Sequence, residues 1–142
     1  MQENWIIPCN AKYFNVIERF EAYNWAIWKK ANRGISVGDI AYIYVGSPYS
    51  QILYRCVVVD DNVDKEIVAE NKYAIQKEGL DDIDYIKLEL KDSFAPGTLS
   101  LQNLKKHGLG QVQTQARADR RLTAYLSSIE GTPYAGGDMT HA

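Results

Sequence analysis

The chain has 142 residues, a formal net charge of -2 at pH 7 and an apolar fraction of 46%. This length predicts one domain with enough apolar material for a single core. The bulk charge does not by itself indicate a nucleic-acid-binding protein. Two histidines and two cysteines give little material for a metal cluster or a histidine-based catalytic site.

The two cysteines, Cys9 and Cys56, lie in apolar strands and form no C-x-x-C motif. No apolar run is long enough to span a membrane, and the first residues lack the basic-then-apolar pattern of a signal peptide. We therefore expect buried free thiols, a cytoplasmic location and no membrane partner.

Charge is distributed unevenly along the chain. Residues 60–92 carry eleven acidic side chains against five lysines. A later segment is basic, with Lys105, Lys106, Arg117, Arg120 and Arg121. A basic face of this kind can contact phosphates. A mixed, solvated surface accounts for the same residues, so charge alone leaves both interpretations open.

The N-terminal segment predicts a short strand followed by a helix. Residues 5–7 are apolar, and Pro8 should end their strand or confine it to an edge of the sheet. Asn10 is a favourable N-cap for the helix that follows. The apolar stripe expected on that helix consists of Tyr13, Val16, Ile17 and Phe20.

Residues 22–35 place two tryptophans next to basic side chains. Trp25 and Trp28 are three positions apart and would share one face if this segment were helical. Basic residues among aromatic ones are also typical of surfaces on which bases stack. On local pattern alone, core packing is the favoured interpretation of both tryptophans.

Residues 37–61 predict the central hairpin of a sheet. Residues 40–45 are apolar on both faces, which is typical of a strand covered on both sides. Residues 46–50 form a loop of turn-forming residues that carries Tyr49, and residues 52–59 are rich in β-branched side chains. The five-residue connection indicates an antiparallel pair.

The acidic segment 60–83 has no clear period, and short strands or a helical turn fit residues 67–68 and 73–75 equally well. Residues 85–91 alternate and predict a strand. The side chains expected to point inward are Ile86, Leu88 and Leu90, and those expected to point outward are Tyr85, Lys87, Glu89 and Lys91.

Two short helices complete the predicted fold. Ser100 is the expected N-cap of a helix closed by Gly108, and Asp119 is the expected N-cap of the last helix. We expect the domain to span residues 1–131 and residues 132–142 to form a loose tail.

Strands separated by short helices predict an α+β domain with a mixed sheet curled into a small barrel. The chain has no glycine-rich phosphate loop, and its acidic segment lacks the ordered spacing of a calcium loop. The expected class is therefore a binding domain that is not an enzyme and carries no cofactor or metal.

Several parts of the chain follow a recognisable order. They are W-I-I-P-C-N at residues 5–10, an aromatic-rich helix, Trp28 ahead of a turn, V-G-D-I-A-Y-I-Y-V-G-S-P-Y-S at residues 37–50, and residues 101–108 and 111–117 before a closing helix. Together they resemble EVE domains of the PUA-like superfamily over nearly all of residues 4–129.

The chain departs from the most common EVE pattern at two places. That pattern has Ser-Glu-Pro and Trp-x-Gly-Val-Arg where this chain has Pro8-Cys9-Asn10 and Trp28-Lys29-Lys30-Ala31-Asn32. The chain is more similar to a branch that is often fused to HNH-type nucleases and resembles readers of modified bases. Any nuclease or other effector would be a separate chain here.

The resemblance implies a PUA-like mixed β pseudobarrel with short flanking helices and a pocket that takes one base out of the stack. The ligand it implies is DNA or RNA with a modified base, for example a methylated one. A flipped base needs aromatic faces to replace its stacking and polar groups for its pairing edge.

The resemblance assigns three roles to residues of this chain. The candidate aromatic walls are Trp28 and Tyr44, with Trp5 and Tyr49 as further candidates. The candidates for the base edge are Asn10, Ser47 and Gln113. The candidates for phosphate contact are Lys29, Lys30 and Arg117. Core packing of the aromatic residues and a surface ion pair for Arg117 are the competing interpretations.

Three alternatives remain open from sequence. The first is an RNA-binding module of the related ASCH type. The second is an enzyme acting on a nucleoside-like ligand in the same pocket. The third is a protein-interaction module whose pocket stays empty.

Overall fold

The computed structural model of the protein describes residues 2–70 and 83–134, without the side chains of residues 69 and 70. Over these residues the elements are β1 (Asn4–Cys9), α1 (Val16–Ala22), β2 (Trp25–Lys29), β3 (Ile40–Val45), β4 (Gln51–Asp60), α2 (Lys65–Glu70), β5 (Tyr85–Ser93), α3 (Leu101–Lys106), β6 (Ala116–Arg117), α4 (Arg120–Ser128) and β7 (Thr132–Pro133). None of the described helices has the length and apolar character needed to cross a membrane.

The strands form one mixed sheet in the order β2-β5-β4-β3-β1-β6, and β7 pairs with β5. β1 and β3 are parallel, with Asn4 opposite Ile40 and Cys9 opposite Val45. The pairs along the rest of the path are antiparallel. The predicted α+β class, the antiparallel hairpin of β3 and β4, and the interior position of β3 are confirmed.

Both faces of the central strands are covered, as their apolar composition predicts. On one face, Ala41 and Ile43 pack with Val16 and Phe20 from the region of α1. On the other face, Tyr42 and Tyr44 lie in a second cluster, whose helical members include Leu104 from α3 and Leu122 and Leu126 from α4. Tyr44 therefore faces α3 and α4, whereas the odd-numbered residues of β3 face α1.

Gln115 ties the two ends of the strand path together. Its side-chain amide donates to the Lys29 carbonyl at the end of β2 (2.6 Å) and accepts from the Ala31 N–H (2.8 Å). Gln115 immediately precedes β6, so this 8% exposed side chain links the first and last strands of the path. The sheet is thereby curled into the predicted pseudobarrel.

A buried carboxylate organises the start of the parallel pair. Asp39 is 1% exposed and accepts three hydrogen bonds, from the indole N–H of Trp5 (2.9 Å), the Glu3 N–H (3.0 Å) and the Ser36 N–H (3.0 Å). Hydrogen bonds to a charged acceptor are stronger than neutral ones. Asp39 therefore fixes the beginning of β1 against the turn that leads into β3.

Two local predictions are wrong in the N-terminal half, and the structure decides a question left open about a third segment. Asn10 does not cap α1; its side chain accepts from the Lys12 N–H, and Asn15 caps the helix one turn later. Tyr13 consequently precedes the helix and is 77% exposed. Residues 25–29 form a strand, so Trp25 and Trp28 point to opposite faces of the sheet.

The structure also differs from expectation around β5. Tyr85 was expected to point to solvent, but it is fully buried under Val63 and Val68, because the segment around α2 covers that side of the sheet. Residues 67–68 belong to α2, and residues 73–75 lie outside the described residues.

The loose tail was predicted from residue 132. Thr132–Pro133 instead pair with Asp92 and Ser93 of β5. Residues 135–142 lie outside the described residues.

We expect the Asp39→Ala variant to lose about 3 kcal/mol of unfolding free energy, because it leaves the buried indole N–H and two backbone N–H groups without their acceptor. Urea denaturation measures this loss. Asp61→Ala is the matched control, since Asp61 accepts a single exposed bond from the Val37 N–H and should lose about 1 kcal/mol or less. Equal losses in the two variants would show that Asp39 has no special structural role.

Candidate functional site

The parallel pairing of β1 and β3 brings two chain turns to the same edge of the sheet. β1 ends at Cys9 and β3 ends at Val45, and the two residues lie opposite each other. The Gly46 N–H donates to the Cys9 carbonyl (2.9 Å), so the loop after β3 lies against the turn after β1. A third segment, residues 112–113, completes the site from the region before β6.

These segments enclose an open cleft of about 390 Å³, a size within the range of about 300–1,000 Å³ common for small-ligand sites. The residues that line it are Pro8, Cys9, Asn10, Lys12, Tyr44, Gly46, Ser47, Val112 and Gln113. Four of the sequence-predicted site residues therefore come together here: Asn10, Tyr44, Ser47 and Gln113.

The polar side chains of the cleft are available to a ligand. Asn10 uses its carbonyl oxygen to accept from the Lys12 N–H (3.0 Å), which leaves its NH₂ group free to donate. Within the described part of the chain, the hydroxyls of Tyr44 and Ser47 and the amide of Gln113 make no hydrogen bond. Asn10, Ser47 and Gln113 are exposed, so they can bond a ligand without first breaking internal contacts.

A second cleft of about 290 Å³ adjoins the first and shares Tyr44, Val112 and Gln113 with it. Its remaining lining residues are Leu101, Lys105, Gly110 and Gln111. Lys12 lines only the first cleft and Lys105 only the second. The two clefts therefore make one groove that passes Tyr44 and has an ammonium group in each half.

Cys9 contributes a neutral, unreactive thiol to the wall of the first cleft. Burial raises the pKa of Cys9 to about 12, and its Sγ donates to the Phe14 carbonyl (3.6 Å). Because the thiolate is the nucleophilic form, this thiol is unsuited to covalent chemistry near neutral pH. Within residues 2–70 and 83–134, no group of three or more His, Cys, Asp or Glu side chains is placed to hold a metal ion.

The two tryptophans predicted as walls are core residues. Trp28 is 7% exposed and packs edge-to-face on Phe14, with ring centroids 5.0 Å apart. Trp5 is fully buried, and its indole N–H is bonded to Asp39. Neither lines the cleft, so Tyr44 is the aromatic residue among the residues that line it.

Tyr49 lies on the other side of the 46–50 loop. It is 41% exposed and lines a separate, more apolar pocket together with Leu53, Tyr54 and Phe94. This pocket and the cleft share no lining residue. Tyr49 is therefore not a wall of the cleft that contains Tyr44.

The basic residues predicted to meet phosphate also lie away from the cleft. Arg117 is opposite Trp5 at the start of β1; it pairs with Glu3 (3.3 Å) and covers the Trp5 ring at 5.0 Å. Lys30 Nζ donates to the Asp61 carbonyl (3.1 Å). Lys29 is exposed at the end of β2, where its carbonyl bonds Gln115.

The structure adds residues that the sequence did not single out. Lys12, Pro8 and Val112 line the first cleft, and Lys105 lines the second. Lys12 follows Asn10 in a turn, and that turn was hidden by the expectation of a helix there. The parallel pairing of two strands 36 positions apart, Asn4 with Ile40, is what brings Pro8 beside Tyr44, and no local pattern shows it.

The chain matches no protein-family model and no curated protein sequence. Solved structures do resemble it. ASCH from Zymomonas mobilis has a TM-score of 0.62 at 12% identity, over 92% of this chain and 97% of that chain. A Pseudomonas putida protein has a TM-score of 0.63 at 16% identity, over 88% and 97% of the two chains.

The human THYN1 protein, in complex with 5-methylcytosine containing DNA, has a TM-score of 0.61 at 12% identity, over 91% of this chain and 99% of that chain. The fold is PUA-like. At these identities the similarity establishes the fold alone. The EVE family and its nuclease-associated branch stay predictions from the sequence.

We expect Trp28→Ala to destabilise the protein by about 3–5 kcal/mol, because it removes a buried indole from the core. Trp28→Phe should cost less, since a ring remains against Phe14. Chemical denaturation followed by circular dichroism measures both. A Trp28→Ala protein as stable as the wild type would show that Trp28 does not stabilise the core and would support its role as a wall of a binding site.

Native Cys9 should react very slowly with iodoacetamide at pH 8. A pKa of about 12, against 9.0 for an ordinary cysteine, lowers the thiolate fraction roughly a thousandfold. Peptide mass spectrometry compares the labelling of Cys9 in native and urea-unfolded protein. Similar rates in the two states would contradict the placement of this thiol.

Proposed function

We propose that this protein is a nucleic-acid-binding module that holds one modified base in the cleft formed by Asn10, Tyr44, Ser47 and Gln113. One observation carries the proposal: an open cleft with unpaired hydrogen-bonding side chains on a PUA-like fold. The likeness to THYN1, whose structure contains 5-methylcytosine DNA, supports this choice of ligand class.

The proposal gives each part of the cleft a role. The exposed part of the Tyr44 ring stacks on one face of the base. The amides of Asn10 and Gln113 and the Ser47 hydroxyl supply donors and acceptors for its polar edge. Pro8 and Val112 offer apolar surface. Apolar side chains contact the methyl group of thymine in DNA complexes, and a 5-methyl group on cytosine would be met in the same way.

The number of aromatic walls decides which form of nucleic acid fits best. Base–aromatic stacking contributes about 1–3 kcal/mol per base, and extruding a base from a duplex costs a few kcal/mol. Tyr44 is 8% exposed and lines the cleft without a second aromatic residue. One partial wall does not offset the opening of a duplex, so the proposed ligand is a base that is already unpaired.

The module is proposed to act without catalysis. The residues lining the first cleft include no carboxylate and no imidazole, and the Cys9 thiol is protonated near neutral pH. Imidazole and carboxylate groups are the most common general acids and bases in enzymes, and the first cleft has neither. Any processing of the bound nucleic acid would then need an effector outside this cleft.

RNA is the second candidate ligand, and a specific observation favours it. Sequence-specific RNA recognition mostly targets single-stranded bases that stack on an aromatic side chain. The single partial wall at Tyr44 suits such a base, and the fold resembles ASCH from Zymomonas mobilis. Contact with the 2′-hydroxyl would distinguish an RNA reader from a DNA reader.

The test is binding of fluorescent oligonucleotides with one central 5-methylcytosine or cytosine, as single- and double-stranded DNA and as single-stranded RNA. We expect the single strands to bind at least tenfold more tightly than the duplex, because no base pair has to be opened. We also expect the methylated oligonucleotide to bind more tightly than the unmethylated one of the same sequence.

Gln113→Ala should weaken binding about tenfold, because it removes one hydrogen bond worth about 1–1.5 kcal/mol. Gln102→Ala is the matched control: Gln102 is an exposed glutamine on α3 that lines neither cleft, and its loss should leave affinity unchanged. Binding that is insensitive to Gln113 would remove the cleft from the mechanism, and no binding to any oligonucleotide would refute the proposed function.

A further inference from the structure

The ends of α3 and α4 together carry four exposed basic side chains. They are Lys105, Lys106, Arg120 and Arg121, and we refer to them as the α3–α4 basic surface. Lys105 and Lys106 form the last turn of α3, and Arg120 and Arg121 form the first turn of α4. None of them is among the residues that the sequence resemblance assigned to phosphate.

Direct contacts hold the two helix ends together. The Arg121 guanidinium donates to the Lys106 carbonyl (2.6 Å). The His107 ring stacks on the Tyr125 ring with centroids 3.5 Å apart. Gly108 takes the left-handed conformation (φ 102°) that allows the chain to leave α3, and a Cβ there would lie 3.7 Å from the Arg121 side chain. The helix ends that carry the four basic residues are therefore held next to each other.

These charges are not neutralised by neighbouring carboxylates. Within the described part of the chain, ion pairs hold Arg55, Lys65, Lys91 and Arg117, and none involves the α3–α4 basic surface. Asp119 is the adjacent acid, and its carboxylate caps α4 by accepting from the Leu122 N–H (2.8 Å). An anion approaching this surface meets positive charge without displacing a carboxylate from an ion pair.

Helix stability does not account for all of these charges. Lys105 and Lys106 lie at a C-terminus, where the helix dipole favours cations. Arg120 and Arg121 lie at an N-terminus, where the dipole disfavours them, and α4 has no acidic residue in its first turn. Arg121 has a structural role in its bond to the Lys106 carbonyl, and an external anionic partner gives Arg120 a physical role that the helix dipole does not.

The surface is continuous with the proposed base site. Lys105 belongs to the basic surface and also lines the second cleft, which shares Tyr44 and Gln113 with the first. A chain that leaves the first cleft past Tyr44 therefore reaches Lys105 and then the ends of α3 and α4.

We propose that the α3–α4 basic surface binds the sugar-phosphate backbone next to the base held in the cleft. This inference rests on the proposed function and assigns the phosphate contacts to residues other than Lys29, Lys30 and Arg117. Phosphate contacts position a nucleic acid without reading its sequence. The surface therefore sets affinity and salt dependence, and the cleft sets the preference for the modified base.

The test uses the double variant Lys106→Gln/Arg120→Gln. It keeps Lys105, which lines the second cleft, and Arg121, which bonds α3 to α4. Affinity for single-stranded oligonucleotide is measured between 50 and 300 mM salt (about sixfold in concentration), because each phosphate contact adds about 0.7 to the slope of log K against log salt.

We expect that slope to become shallower by about 1.4 and affinity to fall roughly 25-fold at about 0.1 M salt. The ratio of affinities for methylated and unmethylated oligonucleotides should stay unchanged. Arg33→Gln/Lys91→Gln is the matched control, since it removes the same charge from exposed positions elsewhere and should leave the slope as in the wild type.

The outcomes separate the two proposals. Weaker binding by Gln113→Ala with an unchanged slope in Lys106→Gln/Arg120→Gln would retain the cleft and overturn the basic surface. Equal slope changes in the test and control variants would show that the salt dependence follows net charge alone, and would also overturn the proposed role of the α3–α4 basic surface. Heparin or anionic vesicles that bind as tightly as the oligonucleotide would overturn a nucleic-acid-specific surface, and no oligonucleotide binding by the wild type would overturn both proposals.

Discussion

The hydrogen bonds of Asp39 to the Trp5 indole and to two backbone N–H groups are the constraint on which the rest of the structure depends. They hold the beginning of β1 against the turn into β3 and so set the register of the one parallel pair on the sheet path, Asn4 with Ile40. Parallel strands in register end together, at Cys9 and Val45. The cleft is the space between the turns that follow these ends. A buried carboxylate at the beginning of the two strands therefore determines the geometry at their carboxyl ends.

The fold was predictable where local pattern and tertiary environment agree. The apolar run at residues 40–45 needs cover on both faces, and it receives α1 on one side and α3 with α4 on the other. Ser100 and Asp119 cap the helices that their sequences predict. The prediction failed where two kinds of local backbone structure are stabilised by the same type of side-chain hydrogen bond. A carboxamide that accepts a backbone N–H two or three residues later describes both an Asx turn and an N-cap. Asn10 makes the turn, and Asn15 makes the cap.

The site was predictable only in part, because its pieces are brought together by contacts between distant segments. The resemblance to EVE domains suggested Asn10, Ser47 and Gln113, and the structure brings these three residues together. The resemblance offered Trp28 and Trp5 as walls, with core packing as the competing interpretation, because an aromatic side chain looks the same in sequence whether it faces solvent or the core; both are core residues in the structure. The burial of Trp28 depends on the pairing of β2 with β5, which places it opposite a residue about 58 positions later, and on its contact with the Phe14 ring. The position of the Arg117 side chain likewise depends on its ion pair with Glu3, near the other end of the chain.

The lining of the cleft comes from three stretches of chain, residues 8–12, 44–47 and 112–113, and the last is anchored by Gln115 to the end of β2. No fragment that lacks one of these stretches can contain the whole cavity. Occupancy of the cavity and completion of the barrel are therefore thermodynamically linked, since a ligand that binds only the native state raises its stability by an amount set by concentration relative to Kd. A ligand in the cavity would contact the ends of β1 and β3 and the segment before β6 at the same time, and would so stabilise their association.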